Sequence, residues 1–165
     1  MSKLWKLLIM WICNHIFCAT HFFQIKRKLL NSCKGITIGE GTCIVTPMRI
    51  PLVSELYIGK GCWINRDFTI EGNGKVYIGD NCALAPTVTM VTGSHLIGDS
   101  SKRAGEGFCG SIFVGDGCWL CNKSSILANC KIGNGTVIAA GAVVTKDIPS
   151  NVLAGGVPSR VLKTL

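Results

Sequence analysis

Three histidines and ten cysteines are the residues of this 165-residue chain best suited to chemistry. His15 and His21 fall in an apolar N-terminal segment, so His95, in the run Thr92-Gly93-Ser94-His95, is the one imidazole in the body of the chain. An imidazole accepts and returns a proton near neutral pH, which suits general-base work. Zinc catalysis takes about three protein ligands, so a lone body histidine excludes a three-histidine zinc site, and no metal is expected. Cys118 and Cys121 form a CxxC without a second pair at metal-site spacing. Cys109 lies in a polar loop and is the one cysteine to consider as a nucleophile, although only His95 could serve it as a base.

The remaining cysteines lead to the scaffold. From Val114 to Pro149 the chain divides into blocks of six that open on Val114, Leu120, Ile126, Ile132, Ile138 and Val144. The fifth position is small at Cys118, Ser124, Cys130, Thr136 and Ala142. A helix would show apolar spacing near 3.6 and an ordinary strand strict alternation. A six-residue period fits short strands joined by tight corners, and is the mark of a hexapeptide β-helix. Cys62 and Cys82 take the same small position, where a thiol acts as a compact hydrophobe. Reduced, structural cysteines imply a reducing compartment, and a cytoplasmic location is expected.

The chain divides into a helical segment (1–35), a repeat body (36–150) and a tail (151–165). The body starts at Ile36, breaks period at 47–57, resumes at Ile58, Ile64 and Ile70, and slips by two residues before Ile78, Leu84 and Met90. Phe68 violates the small fifth position, so that corner is expected to bulge or point elsewhere. Residues 92–111 carry no six-fold pattern; a polar, Gly-rich excursion from a rigid scaffold is where function concentrates. The tail turns at Gly155-Gly156 and is expected to finish in a short helix starting near Pro158.

The net charge of +8 suggests nucleic acid at first sight. Residues 1–35, however, hold Lys3, Lys6, Lys26, Arg27, Lys28 and Lys34 and no acid, leaving eleven basic and nine acidic residues elsewhere. No nucleic-acid partner is expected. Residues 4–23 are apolar but interrupted by Lys6, Asn14, His15 and His21, too polar for a membrane span of about 20 residues. Two compatible readings remain: a cap on the open end of the β-helix, and a helix lying on an anionic membrane face.

Three segments carry a resemblance: YIGDNCALAPTVTMVTGSH, IFVGDGCWLCNKSSILANCKIGNGTVIAAGAVVTKDIPSN and AGGVPSRVL. Over about residues 36–163 the chain resembles the hexapeptide-repeat acetyltransferases, which include galactoside, maltose and capsular-sugar O-acetyltransferases. The resemblance implies a left-handed parallel β-helix, a homotrimer with active sites between neighbouring prisms, and acetyl-CoA lying along the groove. It implies that His95 is the general base and that Asn65 contacts the acceptor near the reacting centre; as a residue, Asn65 also suits a tight corner. Trp119 matches a tryptophan beside the active site; Glu106 is on the His95 loop, and its spacing permits, without demanding, that it orient the imidazole on the substrate side. Asn122, Ala140, Gly141, Thr145, Lys146 and Arg160 match the coenzyme groove, Lys146 and Arg160 supplying charge for phosphates. Cys121-Asn122 departs from the glycine and small residue of many relatives. The implied activity is acetyl transfer to a sugar hydroxyl of a polysaccharide or lipid-linked precursor. An antibiotic acceptor and a non-enzymatic β-helix scaffold are the competing readings.

Overall fold

The computed structural model describes residues 3–18 and 20–165. Two helices, α1 (Lys3–His15) and α2 (Phe23–Asn31), precede a parallel β-helix. Its first coil holds β1 (Ile36–Ile38), β2 (Cys43–Ile44) and β3 (Met48–Arg49); the second holds β4 (Glu55–Ile58), β5 (Trp63–Ile64) and β6 (Phe68–Glu71). The third holds β7 (Lys75–Ile78), β8 (Ala83–Leu84) and β9 (Thr89–Val91), then leaves the prism as a hairpin of β10 (Gly93–Ile97) and β11 (Ala104–Cys109). The fourth returns with β12 (Ser111–Val114), β13 (Trp119–Leu120) and β14 (Ser125–Leu127), and the fifth has β15 (Lys131–Ile132), β16 (Val137–Ile138) and β17 (Val143–Val144). Two last strands, β18 (Val152–Gly155) and β19 (Arg160–Thr164), close the chain.

Like strands stack into three faces. The first is β1-β4-β7-β12-β15, the second β2-β5-β8-β13-β16-β18-β19, and the third β3-β6-β9-β14-β17. The block-opening aliphatics point inward, with Leu120, Ile126, Ile138 and Val144 fully buried. The small fifth positions fill the corners beside them, and most corners hold a residue of positive φ, as at Gly117 (64°) and Gly141 (69°). The Gly-Asp and Gly-Asn pairs of the repeat have a direct cause. Asp116 Oδ1 accepts the backbone N–H of Asp80 at 2.8 Å and Asn134 Oδ1 that of Asp116 at 3.0 Å. Those side-chain oxygens occupy the space that a Cβ on Gly79 or Gly115 would need.

The corner cysteines are more than hydrophobes. Cys62, Cys82 and Cys118 each donate their S–H to a glycine carbonyl of the coil below, at 3.1 Å to Gly79, Gly115 and Gly133. Thr42 and Thr136, in the same column, do this with a hydroxyl, at 2.7 Å to Gly59 and Pro149. All ten cysteines are free, including Cys118 and Cys121 of the CxxC.

Two expectations need correction. Phe68 does not bulge outward: it is fully buried in β6, paired with Met48 above. Ile36 aligns with Leu56 and Glu55 with Lys75, a 20-residue step, whereas Phe113 aligns with Lys131, an 18-residue step. The two additional residues per coil widen the upper prism. The column that holds Ser124 and Ala142 below therefore accepts Met48, Phe68 and Val88 above. The tail, likewise, has no helix. After Gly156, at φ 97°, β19 folds back antiparallel on β18, pairing Val152 with Thr164 and Gly155 with Arg160. A helix this short is marginal on its own, whereas the edge of β18 offers unpaired backbone groups that β19 satisfies.

The opposite edge is closed by the helices, as the cap reading expected. Asn14 Nδ2 donates to the Met48 carbonyl at 2.9 Å while its Oδ1 accepts the Met48 N–H at 3.0 Å. Asn31 does the same to Ile38, at 2.9 and 2.7 Å. Each asparagine amide thus stands in for the missing strand above its face. Lys6 Nζ donates to the carbonyls of Ser54 and Leu52, at 2.9 and 3.2 Å. Ile9, Met10, Cys13 and Leu30 complete the core beneath.

Candidate active site

Every coil passes from the third face back to the first around one corner, and the chain departs there in coil three. Lys75 aligns with Ser111, 36 residues on, twice the step of the lower coils. Thr92 and Gly110 pinch the base of this excursion. Gly110 N–H donates to the Thr92 carbonyl at 2.8 Å. The buried Thr92 hydroxyl donates to the Glu71 carbonyl at 2.8 Å and accepts the Gly74 N–H at 3.0 Å. Sequence reasoning missed this clamp, because a threonine at a loop boundary gives no pattern.

Residues 92–111 were expected as a loop, and within them 93–109 form an antiparallel hairpin. Gly93 pairs with Cys109, Ser94 with Phe108 and His95 with Gly107. At its tip Asp99 accepts the N–H and hydroxyl of Ser101, at 2.8 and 2.5 Å, which holds its carboxyl below the usual carboxylate range. His95 lies over Gly107: a Cβ there would sit 3.5 Å from Nε2. A recess of about 330 Å³ is lined by Gly93, Ser94, His95, Gly107, Phe108 and Cys109. Paired residues share a face of a hairpin and neighbours alternate, so Cys109 is on the His95 side and Glu106 is not. No hydrogen bond joins Glu106 to the imidazole among the described residues. The expected orienting contact is absent within the protomer.

The other candidate residues divide between two corners. Thr145 and Lys146 follow β17 on the corner that carries the hairpin, exposed two coils below it. With coils spaced as strands of a sheet, that is about 10 Å. Asn65, Asn122, Ala140 and Gly141 occupy the neighbouring corner, between the second and third faces. Asn65 Oδ1 accepts the Arg66 N–H at 2.9 Å, the turn-forming role its residue type suggested. Asn122 Nδ2 donates to the Pro86 carbonyl at 2.9 Å, and its own carbonyl accepts the Gly141 N–H at 2.9 Å. A Cβ on Gly141 would meet nothing within 4 Å, so its backbone is open to an approaching group. Arg160 joins this corner because residues 156–159 cross it, Ser159 N–H donating to the Val143 carbonyl at 2.8 Å. Trp119 stands on the second face, 54% exposed, between Ala83 and Val137. No group of three or more His, Cys, Asp or Glu among the described residues could hold a metal ion.

The family described as bacterial transferase hexapeptide (six repeats) matches residues 111–146, the regular lower coils. The galactoside O-acetyltransferase of Escherichia coli (strain K12) is 35% identical over 140 residues, spanning 85% of this chain and 69% of that protein. The chain belongs to the hexapeptide-repeat acetyltransferase family. A solved galactoside acetyltransferase in complex with coenzyme A superposes with a TM-score of 0.83 at 29% identity, over 98% of this chain and 80% of that one. A hexapeptide-repeat acetyltransferase from Vibrio cholerae, complexed with acetyl-coenzyme A, shares the fold with a TM-score of 0.84 at 24% identity, over 99% and 86%. The chain is an acyltransferase of this family, and its candidate residues lie mainly on two corners of one prism.

Proposed function

We propose that the protein moves an acetyl group from acetyl-CoA to a sugar hydroxyl of a polysaccharide or lipid-linked precursor, with His95 as general base. The observation that carries this reading is the position of the body's one imidazole, at the recess of a hairpin clamped to the prism by Thr92. A hydroxyl is a weak nucleophile near neutral pH, and a neutral imidazole takes its proton as it attacks the thioester carbonyl. The tetrahedral oxyanion collapses with loss of CoA thiolate, which takes the proton back from the imidazolium. Backbone N–H groups where neighbouring protomers of a trimer meet are the donors for the oxyanion. No covalent acetyl-enzyme forms.

The division of candidates between corners supports a homotrimer. His95, Thr145 and Lys146 lie on one corner and Asn65, Asn122, Ala140, Gly141 and Arg160 on the next, with the third face between them. A head-to-tail ring sets the first corner of one protomer against the second corner of its neighbour and closes at three. Leu96 and Ile97 of the hairpin, 56% and 88% exposed, are then covered by the neighbour. The pantetheine arm runs along the open backbone of Ala140-Gly141, with Lys146 and Arg160 toward the phosphates.

Acceptor-dependent CoA release from acetyl-CoA, screened over galactosides, glucosides and chloramphenicol-like drugs, tests this together with the mass of the assembly. Turnover on a sugar by a trimer is the expected result. Preference for a drug moves the protein to antibiotic modification. Failure to bind acetyl-CoA in calorimetry leaves a scaffold protein.

A further inference from the structure

The cap of the prism has a second apolar face that the cap does not use. On α1, Lys6, Ile9, Met10 and Cys13 turn inward and are buried. Leu4, Leu7, Leu8 and Trp11 turn outward, 75%, 50%, 48% and 54% exposed. Their spacing of i, i+3, i+4 and i+7 makes one continuous helical stripe. A surface helix ordinarily shows polar residues there. Beside α1 is a cavity of about 600 Å³ whose wall includes Lys3, Lys6, Lys34, Leu52 and Val53. Its one acid, Glu55, is already paired with Lys75 at 3.1 Å. With Lys3 and Lys34 exposed in its wall and Glu55 paired, the cavity favours an anion.

We propose that the outward stripe of α1 and the lysine-lined cavity beside it dock this protein on an anionic phospholipid bilayer. The stripe enters the acyl boundary, and the cavity receives lipid phosphate. The inference rests on the geometry of the cap and not on the acyl chemistry. Thirteen helical residues extend about 20 Å at 1.5 Å each, short of a hydrocarbon core of about 30 Å. No described helix is long and apolar enough to cross a membrane, so α1 lies in the interfacial plane. Charge selects lipid over a second copy of the chain. Residues 1–35 hold no acid, and Lys3, Arg27, Lys28 and Lys34 are not buried, so pairing two such surfaces sets like charges together, whereas an anionic leaflet complements them.

The test is co-sedimentation of the full chain with phosphatidylglycerol/phosphatidylcholine vesicles and with phosphatidylcholine alone. Binding to the anionic vesicles that weakens with salt is expected. It should fall by about tenfold or more in Leu8→Glu/Trp11→Glu and in Lys3→Glu/Lys34→Glu. Both double variants should keep the wild-type melting midpoint and CoA release on a soluble acceptor, since these side chains make none of the cap's contacts to the strands. Equal binding to neutral vesicles, or none to either, overturns the proposal. So does a drop in assembly mass in Leu8→Glu/Trp11→Glu without vesicle binding by the wild type, which would make the stripe a self-association surface.

Discussion

The prism and the hairpin it carries are built by opposite rules. Strands of the prism bury one side of every residue pair, and the backbone of each coil bonds to the coil beneath. The hairpin of 93–109 leaves nearly every side chain exposed and is held to the body by its base. The difference assigns the two parts separate tasks. Substitutions in the prism should change stability first, and substitutions at the hairpin recess should change rate at constant stability.

The largest loss of stability should come from the widest part of the core. Phe68→Ala empties a fully buried site and should cost about 3–5 kcal/mol, read from chemical denaturation. Ala142→Phe, the reverse change in the narrow end of the same column, should destabilise through overpacking by about 1–3 kcal/mol. Equal tolerance of phenylalanine at both ends would break the account of a tapering prism.

The cap tests the same contrast at lower magnitude. Asn31→Ala removes both bonds to the edge residue Ile38 and should cost about 1–3 kcal/mol. Asn14→Ala should act alike through Met48. Neither change should alter the rate of acetyl transfer by the folded fraction, because both sites are remote from the hairpin.

Thr92→Val joins the two regions. It keeps the shape of a buried side chain but removes the hydroxyl that binds Glu71 and Gly74, with an expected cost of about 1–3 kcal/mol. Thr92 is a positioning residue for His95, so kcat should fall while KM for acetyl-CoA holds, and Thr92→Ser should recover both. Loss of stability with unchanged kcat would show that the hairpin keeps its own geometry. Smallest of all, Cys82→Thr should change stability by less than about 1 kcal/mol, since Thr42 and Thr136 already make the equivalent bond in that column.

How far the sequence could be read follows from the same physics. The coils from Val114 to Val144 were legible because each corner demands a large inward residue and a small one at fixed spacing. The upper coils were harder, since the widened corners at 50–55 and 70–75 shift the register, and Phe68 looked like an exception when it marked a broader core. The hairpin had no signature because neither of its sides is buried in the protomer, so nothing selects alternation. Val161, Leu162 and Thr164 became a strand through the edge of β18, a partner local propensity does not contain. Asn14 and Asn31 were invisible as edge caps, because an asparagine on a helix acquires that role only from the strand it meets. His95 could be singled out by number alone, but its pairing with Gly107 and the clamp at Thr92 required coordinates.

The most direct measurement compares acetyl transfer and melting for wild type and His95→Ala in parallel. Loss of a general base should lower kcat by about 10²–10⁴-fold with the melting midpoint and acetyl-CoA affinity unchanged. Full activity in His95→Ala, or a loss explained by unfolding, would contradict the assignment of chemistry to the hairpin.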